Sequence, residues 1–469
     1  MNQNFNNNLN NFNNMLNQQN FMIEQREQLN NNYLMNFQNN LNNIKISSNI
    51  GNNFINNEQK DKNNLEYLNR LNSIFPLPPR VGLDNIGTTG FINATLQCLF
   101  QIEEFALYFK YDEHINEAID KFTKKHKDSL TASFKILVEK IWPDEAMINE
   151  STKRHFTPKE FRKKIADMNQ IFKNSSGDPK DLINFIIMTL HEEQNQGLIG
   201  NNIIPNEKNK YDFNYIFQLF YLDYQRKFRS KISELFFSIQ QIETKCLSCN
   251  VINYNFQIYH LLTFPIEEIR IHFINKILEE NNSYYNKNMN IFNNNFRMNN
   301  MNNFNNNINT IINNNLIRLN KLNNNIINIF DCFEYNQKKY LLDGNGQIYC
   351  TCCKMASNAT YTTYLTTAPK ILILIFYKEN QLQNKTKLEF FEYLDLSNYI
   401  KIKTGKSINY RLIGAIKHYG ERGEGNHFIA HCLSPIDNEW YIYNDSVVRK
   451  TDNFQKEIID DENPYILFY

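Results

Sequence analysis

Four cysteines in two closely spaced pairs are the residues of this 469-residue chain that most clearly predict a metal site. Cys246 and Cys249 form one CxxC pair, and Cys350 and Cys353 form the other. The tight turn of a CxxC pair lets two thiolates converge on one ion, and two such pairs complete a tetrahedral sulfur set for zinc. Because four thiolates leave no open coordination position, the predicted zinc is structural. The alternative is four unrelated buried cysteines.

Two further segments carry residue types that a hydrolase needs. Residues 82–97 read GLDNIGTTGFINATLQ, and residues 410–448 contain HYGERGEGNHFIAH and WYIYNDSVV. A cysteine hydrolase needs a thiolate at a helix N-terminus, where the dipole lowers the thiol pKa, together with a His and an Asn or Asp that orients the His. His427 and Asn444 lie on successive predicted strands and suit the last two roles. The two segments therefore look like the halves of a papain-like cysteine hydrolase.

The same segments resemble motifs of the ubiquitin-specific protease family of cysteine deubiquitinases. Residues 82–97 are similar to the family's GLxNLGNTCYMNxxLQ box, and residues 178–193 (DPKDLINFIIMTLHEE) are similar to its QDAxEFLxxLLxxLHEE segment. Other matches follow in family order, and they are Ser233–Phe237 with the two cysteine pairs, Pro369–Ile375, Leu394–Leu396, His418, Gly420, His427, Trp440, Asn444, Asp445 and Pro464–Tyr469. Together the matches cover nearly all of residues 80–469, and their combination is highly specific.

The resemblance implies a fold and a reaction. The fold would be α+β, of the papain-like peptidase type found in ubiquitin-specific proteases, with a thumb, a palm and zinc-tipped fingers that hold ubiquitin. The reaction would be cleavage of the isopeptide bond after the C-terminal Gly-Gly of ubiquitin, with ubiquitin or ubiquitinated proteins as partners. His427, Asn444 and Asp445 would belong to the catalytic group.

Asp178 and Asp181 match family acids that meet the basic tail of ubiquitin, and His418 is a third candidate for substrate binding. A carboxylate that faces an arginine makes this role physically sensible for the two acids. The alternative is that Asp178 only caps a helix and Asp181 is only a first-turn acid, and the sequence leaves both interpretations open. His418 is expected to be a structural or tail-contacting residue rather than a second base.

The sequence departs from the family pattern at the nucleophile, because Gly90 stands where the family has its reactive cysteine. Thr88 stands at the position of an asparagine that helps to stabilise the oxyanion. Without a side chain at residue 90 no thioester can form, and removing a nucleophile costs several powers of ten in rate. Cys98 would lie about 12 Å further along a helix and cannot substitute. We therefore predict a ubiquitin-recognising pseudoenzyme, inactive or nearly so, with one structural zinc and no catalytic cofactor.

Two other functions fit the same sequence. The first is an active deubiquitinase, a ubiquitinyl hydrolase, that uses an unrecognised nucleophile. In that case His427 acting as a general base on water would give weak hydrolysis at best, because both the nucleophile and the oxyanion donor are altered. The second is a scaffold that has also lost ubiquitin binding. Covalent labelling by an electrophilic ubiquitin probe and titration with ubiquitin separate these alternatives from the pseudoenzyme.

N-cap residues and hydrophobic periodicity predict the helices and strands that must position these residues. Thr88 and Thr89 are predicted N-caps for a helix from Gly90 to about Phe100, and Asp178 is the predicted N-cap for a helix over Pro179–Glu193. Later segments predict strands, at Tyr254–Phe264, Tyr361–Thr366, Ile371–Tyr377, Arg411–His418, His427–Leu433, Trp440–Tyr443 and Tyr465–Tyr469. Helices first and antiparallel-type strands afterwards indicate an α+β protein.

Asparagine-rich segments divide the chain, with 20 Asn in residues 1–50 and 23 Asn in residues 281–325. Asn amides compete for backbone hydrogen bonds, and such tracts bury too little apolar surface to offset their ordering entropy. We predict a disordered tail and linker over residues 1–76, one domain over residues 77–469, and a disordered insertion over residues 281–325. The tail is a candidate for self-association, although we favour a compositional drift without function.

Charge and hydropathy exclude several classes of protein. The chain has 50 Lys+Arg and 49 Asp+Glu, a formal charge of +1, which argues against a nucleic-acid binder held by gross basicity. The longest strongly apolar run, Ile371–Tyr377, is too short for a membrane span, and the first residues lack the pattern of a secretory signal. We therefore expect an intracellular protein of the cytoplasm, the nucleus or both, whose eight cysteines are thiols or metal ligands.

Overall fold

The structure is a computed structural model that describes residues 80–126, 129–143, 155–173, 177–198, 200, 208–293, 313–377, 386–402, 407–421, 424–461 and 464–469. The tail predicted for residues 1–76 and the middle of the predicted insertion, residues 294–312, lie outside these ranges. No helix within the described ranges has both the length and the apolar character needed to reach across a bilayer.

Helices occupy most of the first half of the described chain. Their bounds are α1 (Gly90–Phe100), α2 (Glu103–Tyr111), α3 (Glu113–His126), α4 (Leu130–Ile141), α5 (Lys159–Met168), α6 (Pro179–Gln194), α7 (Phe213–Lys227), α8 (Lys231–Phe236), α9 (Ile266–Asn293), α10 (313–323) and α11 (Ile329–Asn336). The helix predicted from Gly90 has the predicted bounds. The helix predicted from Pro179 is also present, and the Asp178 side chain caps it by accepting the Lys180 N–H (2.8 Å).

Most strands follow the helical first half, as the sequence predicts. Their bounds are β1 (Gly82–Leu83), β2 (His155–Phe156), β3 (Ser238–Cys246), β4 (Ile252–Tyr259), β5 (Leu262–Pro265), β6 (Ile326–Asn328), β7 (Tyr340–Leu342), β8 (Ile348–Cys350), β9 (Met355–Ser357), β10 (Ala359–Leu365), β11 (Ile373–Tyr377), β12 (Lys387–Glu389), β13 (Tyr393–Asp395), β14 (Asn409–Arg411), β15 (Gly414–Glu421), β16 (Glu424–Leu433), β17 (Trp440–Asn444), β18 (Val447–Lys450) and β19 (Pro464–Phe468). However, β1 and β2 lie within that first half, and α9, α10 and α11 lie between β5 and β7.

The central sheet has the strand order β18-β17-β16-β15-β19-β11-β5, and it is antiparallel except for the parallel pair β11 and β5. Because successive side chains of a strand point to opposite faces, the sheet divides two hydrophobic cores. Ile466 and Phe468 join the core on the side of α1, while Leu467 joins the other core. Helix α1 packs mainly against β16, and this contact brings the start of α1 close to the strand that carries His427.

A second sheet of four antiparallel strands has the order β4-β3-β10-β7. Its end holds Cys246, which is paired in register with Ala359 at the start of β10. The short hairpin of β8 and β9 follows β7 and carries Cys350. The two segments with CxxC spacing are therefore brought together at one end of this sheet.

The flanks of the predicted disordered insertion are helical in the structure. Residues 281–293 belong to α9, and residues 313–323 form α10. Leu322 is buried in the second core, and the Arg318 guanidinium pairs with Asp331 (2.6 Å) and Glu334 (3.0 Å). Burial and ion pairing thus offset the ordering entropy on which the prediction of disorder rested. Both flanks therefore differ from that prediction.

Candidate functional site

The turn that leads into α1 is held by Asn85. The Thr89 N–H donates to Asn85 Oδ1 (3.1 Å), and the Thr89 hydroxyl donates to the same oxygen (3.2 Å) while accepting the Ile86 N–H (2.8 Å). Thr89 occupies the N-cap position but its side chain makes no cap bond to the helix, because the hydroxyl is engaged in the turn. Gly87 has φ +89°, a conformation that favours glycine. Gly90 then begins the helix and is buried.

His427 and Asn444 meet across the neighbouring strands β16 and β17. His427 Nε2 lies 2.6 Å from Asn444 Oδ1. An amide oxygen can only accept, so Nε2 carries the proton and the lone pair of the neutral ring is on Nδ1. A Cβ atom built on Gly90 would lie 3.6 Å from His427 Nδ1 and 3.7 Å from the backbone nitrogen of Phe428. Nδ1, the ring nitrogen that does not bond to Asn444, therefore faces the point where a side chain of residue 90 would begin.

Asp445 connects this pair to the segment before α1. It lies between β17 and β18 with φ +52°, a left-handed conformation that Asp adopts more readily than most residues. Its Oδ1 accepts from Asn93 Nδ2 (2.7 Å), its Oδ2 accepts from Asn85 Nδ2 (2.9 Å), and its backbone oxygen accepts the Leu83 N–H (2.9 Å). Asp445 thereby holds the amide of Asn85, whose Nδ2 is 3.9 Å from the Cβ position of Gly90.

The sequence did not predict a role for Asn85, although this residue lies in the motif over residues 82–97, five positions before Gly90. Its amide has two N–H groups, of which one donates to Asp445. Thr88, the residue to which the sequence assigns the oxyanion position, is exposed in the turn before α1. The side-chain amide closest to Gly90 is therefore that of Asn85.

All eight cysteines lie within the described residues, and none of them is among the atoms nearest the Cβ position of Gly90. Cys98 and Cys432 are buried and touch each other, with 3.7 Å between their sulfur atoms. Cys332 is buried in the second core, and Cys352 is exposed. The other four form the separate cluster described below.

Two of the three residues predicted to meet ubiquitin border one aromatic cluster. The Tyr465 hydroxyl donates to the Asp178 carboxylate, at 2.7 Å from each oxygen. The His418 ring stacks on Phe428 (4.7 Å between centroids), and Tyr465 lies 6.3 Å from His418 and 6.1 Å from Phe428. Phe428 directly follows His427 on β16, so the cluster of His418, Phe428 and Tyr465 begins one residue along the strand from the His427–Asn444 pair.

The third predicted residue, Asp181, lies in the first turn of α6. Its carboxylate pairs with its neighbour Lys180 (3.7 Å) rather than with a member of the aromatic cluster. Asp178 caps the same helix, which confirms the predicted N-cap. Capping and ligand binding are compatible here, because a carboxylate has several lone-pair sites and Asp178 is only partly buried.

The two predicted CxxC pairs form one cluster at the end of the four-stranded sheet β4-β3-β10-β7 (the finger sheet). The sulfur atoms of Cys246 and Cys353 are 3.9 Å apart, and those of Cys249 and Cys350 are 3.7 Å apart. All four sulfur atoms lie within 4.8 Å of one another. Zn–S bonds of about 2.3 Å in a tetrahedron place sulfur atoms roughly 3.8 Å apart, so these residues fit a four-thiolate zinc site.

The two turns of this cluster have the same backbone conformation. The residue after each second cysteine is left-handed, with φ +61° at Asn250 and +57° at Lys354. Its N–H donates to the carbonyl oxygen of the first cysteine, Cys246 (2.9 Å) or Cys350 (2.7 Å). Each turn therefore directs two thiols to the same side, which is the arrangement that one ion requires.

Comparison with known proteins gives the family of this chain. Residues 81–469 match the model of the family described as ubiquitin carboxyl-terminal hydrolase. Ubiquitin carboxyl-terminal hydrolase 2 from Rattus norvegicus is 22% identical over 395 residues, which cover 83% of this chain and 53% of the relative. The Homo sapiens protein of the same description is 21% identical over 398 residues, which cover 83% of this chain and 54% of the relative. The chain thus spans about half the length of these curated relatives.

A solved structure of the SAGA DUB module, with Ubp8, Sgf11, Sus1 and Sgf73 bound to monoubiquitin, is similar to this fold. The TM-score is 0.51 with 19% sequence identity, and the match covers 84% of this chain and 70% of that chain. This likeness confirms the predicted α+β fold of the ubiquitin-specific protease type.

Proposed function

The chain belongs to the ubiquitin carboxyl-terminal hydrolase family, and from this premise we propose that it recognises ubiquitin but lacks the family's thiol-dependent cleavage. The observation that carries the proposal is the 3.6 Å between His427 Nδ1 and the Cβ position of Gly90. A cysteine at residue 90 would place its sulfur within reach of the imidazole, whereas glycine offers only hydrogen. We therefore propose that Gly90 occupies the position of the family's nucleophile and lacks the reactive side chain, whereas His427 and Asn444 are in place.

The chemistry of thiol hydrolases explains the expected loss. The thiolate forms a covalent thioester that divides one difficult step into two easier ones, and this route is closed without sulfur. Removing a nucleophile leaves only the contributions of binding and of hydrogen bonds to the oxyanion, so the rate falls by several powers of ten. We assign His427 and Asn444 to the family's base and orienting positions, and Asp445 to holding the Asn85 amide.

Recognition of ubiquitin is proposed to use the surface next to this site. Asp178 and Asp181 offer carboxylates to the basic tail of ubiquitin, and His418 adds an aromatic contact. The similar SAGA DUB module was solved with bound monoubiquitin, which supports the choice of ligand. The Asp178 carboxylate is aligned by the Tyr465 hydroxyl and would lose little side-chain entropy on binding.

We assign one structural zinc ion to Cys246, Cys249, Cys350 and Cys353. The ion would join the turn after β3 to the hairpin of β8 and β9 and so stiffen the end of the finger sheet. It has no part in catalysis, because all four coordination positions are thiolates. A site of reduced thiolates suits an intracellular protein of the cytoplasm or nucleus, which is the compartment we propose.

One experiment distinguishes this proposal from two alternatives, an active thiol enzyme and a scaffold that does not bind ubiquitin. The full chain is titrated into labelled ubiquitin and followed by NMR, and in parallel it is incubated with ubiquitin that carries a C-terminal electrophile. We expect shifts in the C-terminal tail of ubiquitin and no covalent adduct. Ubiquitin without its terminal Gly-Gly serves as the matched control and should bind more weakly. An adduct would identify an active thiol enzyme, and absent shifts would identify a scaffold without ubiquitin binding.

A further inference from the structure

A cavity of about 350 Å³ lies on the face of the central sheet that is turned away from α1. Alternate residues of β16, β17 and β18 form one wall, and the segment before β19 lines the other side. Ala430 and Tyr443 alternate with these wall residues and join the core on the side of α1, so the cavity lies on the opposite face. The lining includes Ile429, His431, Ile442, Val447, Arg449 and Lys456.

We propose that this cavity, called the sheet cavity from here on, binds a small organic carboxylate that has an apolar body. Its volume falls within the range of about 300–1,000 Å³ that is usual for ligand sites in proteins. Ile429, Ile442 and Val447 give it an apolar wall that can cover such a body. Asn444 also lines the cavity, so a bound ligand would lie beside the residue that contacts His427. Ligand binding here does not require ubiquitin.

His431 is a buried polar residue of the sheet cavity whose hydrogen bonds the protein does not complete. It is 3% exposed, and its Nδ1 has no hydrogen-bond partner among the described residues. Buried polar groups in proteins nearly all have a partner, so such an atom indicates a site for a bound molecule. Burial, together with the Lys417 ammonium, lowers the pKa of His431 to about 3, so the ring is neutral and carries one N–H. A carboxylate oxygen can accept from that N–H.

The two carboxylates of the sheet cavity are already paired. Glu457 accepts from the Arg449 guanidinium at 2.5 Å. Asp461 pairs with the Lys417 ammonium (3.1 Å) and accepts from the Tyr419 hydroxyl (2.7 Å). Because each carboxylate has its own cation, neither offers an uncompensated negative charge to a ligand.

Lys456 supplies the charge that remains. Its side chain is exposed at the sheet cavity, and no carboxylate in the described part of the chain pairs with its ammonium group. Together with Lys417 and Arg449 it gives three cations against the two carboxylates, so the net charge around the cavity is positive. An anion is therefore favoured over a cation, and its hydrogen bonds to these groups would be stronger than those of a neutral ligand.

The experiment titrates the full chain with 4-fluorobenzoate, which combines a carboxylate with an apolar ring, and follows the ¹⁹F line width of the probe by NMR. We expect saturable binding with a Kd on the order of 1 mM, as is usual for a ligand of this size. The neutral probe 4-fluorobenzamide has nearly the same shape without the charge. It should bind about tenfold more weakly.

Three variants locate the bound probe. Lys456→Gln removes an exposed cation and should weaken the binding of 4-fluorobenzoate about threefold. His431→Phe removes the ring nitrogens but keeps an aromatic ring, and it should weaken binding about tenfold. The matched control is Lys450→Gln, because Lys450 follows Arg449 on β18, points to the opposite face and pairs with Glu439 (3.0 Å). This control should leave the affinity unchanged.

Weaker binding by Lys456→Gln and His431→Phe, with unchanged binding by Lys450→Gln, supports the proposed site. The proposal is overturned if the unmodified chain shows no saturable binding, or if it binds the amide as tightly as the carboxylate. Equal affinity of Lys456→Gln and Lys450→Gln overturns it as well. Should His431→Phe fail to fold, the comparison of the two lysine variants still decides, since both change exposed side chains.

Discussion

Gly90 and His427 are so placed that a side chain on residue 90 would begin 3.6 Å from Nδ1 of the imidazole. The same Cβ position lies 3.7 Å from the Phe428 backbone nitrogen and 3.9 Å from Asn85 Nδ2, and all three distances are ordinary van der Waals contacts. The backbone of Gly90 is not among the left-handed glycines, so its conformation is open to any residue. Neither space nor backbone strain therefore requires glycine at this position.

The first prediction concerns restoration of the thiol. Gly90→Cys should react covalently with ubiquitin that carries a C-terminal electrophile, because the new sulfur would lie beside Nδ1 of His427 at the start of a helix. The adduct is measured as a mass increase on the intact protein. Adding Thr88→Asn should change labelling little, since the amide near the site is already supplied by Asn85.

The matched control is Gly90→Cys combined with His427→Ala, which keeps the thiol but removes its partner. Labelling of this double variant should be slower by several powers of ten. Equal labelling with and without the imidazole would mean that the thiol reacts unassisted, and the assignment of His427 as the base would have to be given up.

The second prediction concerns the four-cysteine cluster. The purified chain should contain one zinc ion per molecule, and Cys249→Ser should abolish it, because three thiolates and a hydroxyl bind zinc much more weakly than four thiolates. The matched control is Cys352→Ser, which changes a neighbouring exposed thiol outside the cluster. Zinc content is measured by atomic emission. Equal loss of zinc in both variants, or none in either, would contradict the assignment.

Local patterns predicted much of this fold, since capping and periodicity located α1, α6 and most strands of the central sheet. The role of Asn85 was not predictable, because it depends on Asp445, which is 360 positions away and takes a left-handed conformation. The order of residues 313–323 was missed for a similar reason. Asn-rich composition predicts disorder, but Leu322 and Arg318 find partners that only the tertiary structure supplies. Local composition carries no information about such distant partners.

The third prediction concerns ubiquitin recognition by Asp178. Asp178→Asn removes the charge but retains a side-chain oxygen that caps α6, because Asn and Asp are equally good N-caps. Ubiquitin affinity should fall about tenfold, as expected for the loss of one charge-assisted hydrogen bond, while thermal stability stays nearly unchanged. Affinity is measured by calorimetry. Tyr465→Phe provides the comparison, since it removes the hydroxyl that aligns the carboxylate but leaves the charge.

If the Asp178→Asn variant binds ubiquitin as tightly as the unmodified chain, the Asp178 carboxylate only caps the helix. A variant that loses affinity and thermal stability together would point to the same conclusion. The assignment is supported only when affinity falls alone.

The last prediction concerns acid stability and two histidines, of which His191 is buried and His260 is half-buried. Burial lowers the pKa of His191 to about 4, with a further lowering by His260, and burial lowers the pKa of His260 to about 4 as well. The neutral rings bond to Ser230 Oγ and Asn184 Oδ1, each at 2.7 Å. The folded protein therefore binds fewer protons than the unfolded chain between about pH 4 and 6.5. Stability is complete above about pH 6.5 and decreases as the pH falls towards 4.

Each histidine should cost about 1–2 kcal/mol of unfolding free energy between pH 7 and 5. Urea unfolding at both pH values measures the change. His260→Gln keeps a polar side chain beside Asn184 but cannot be protonated, so it should reduce the loss between the two pH values by roughly half. An unchanged pH dependence in this variant would mean that other groups cause the acid sensitivity.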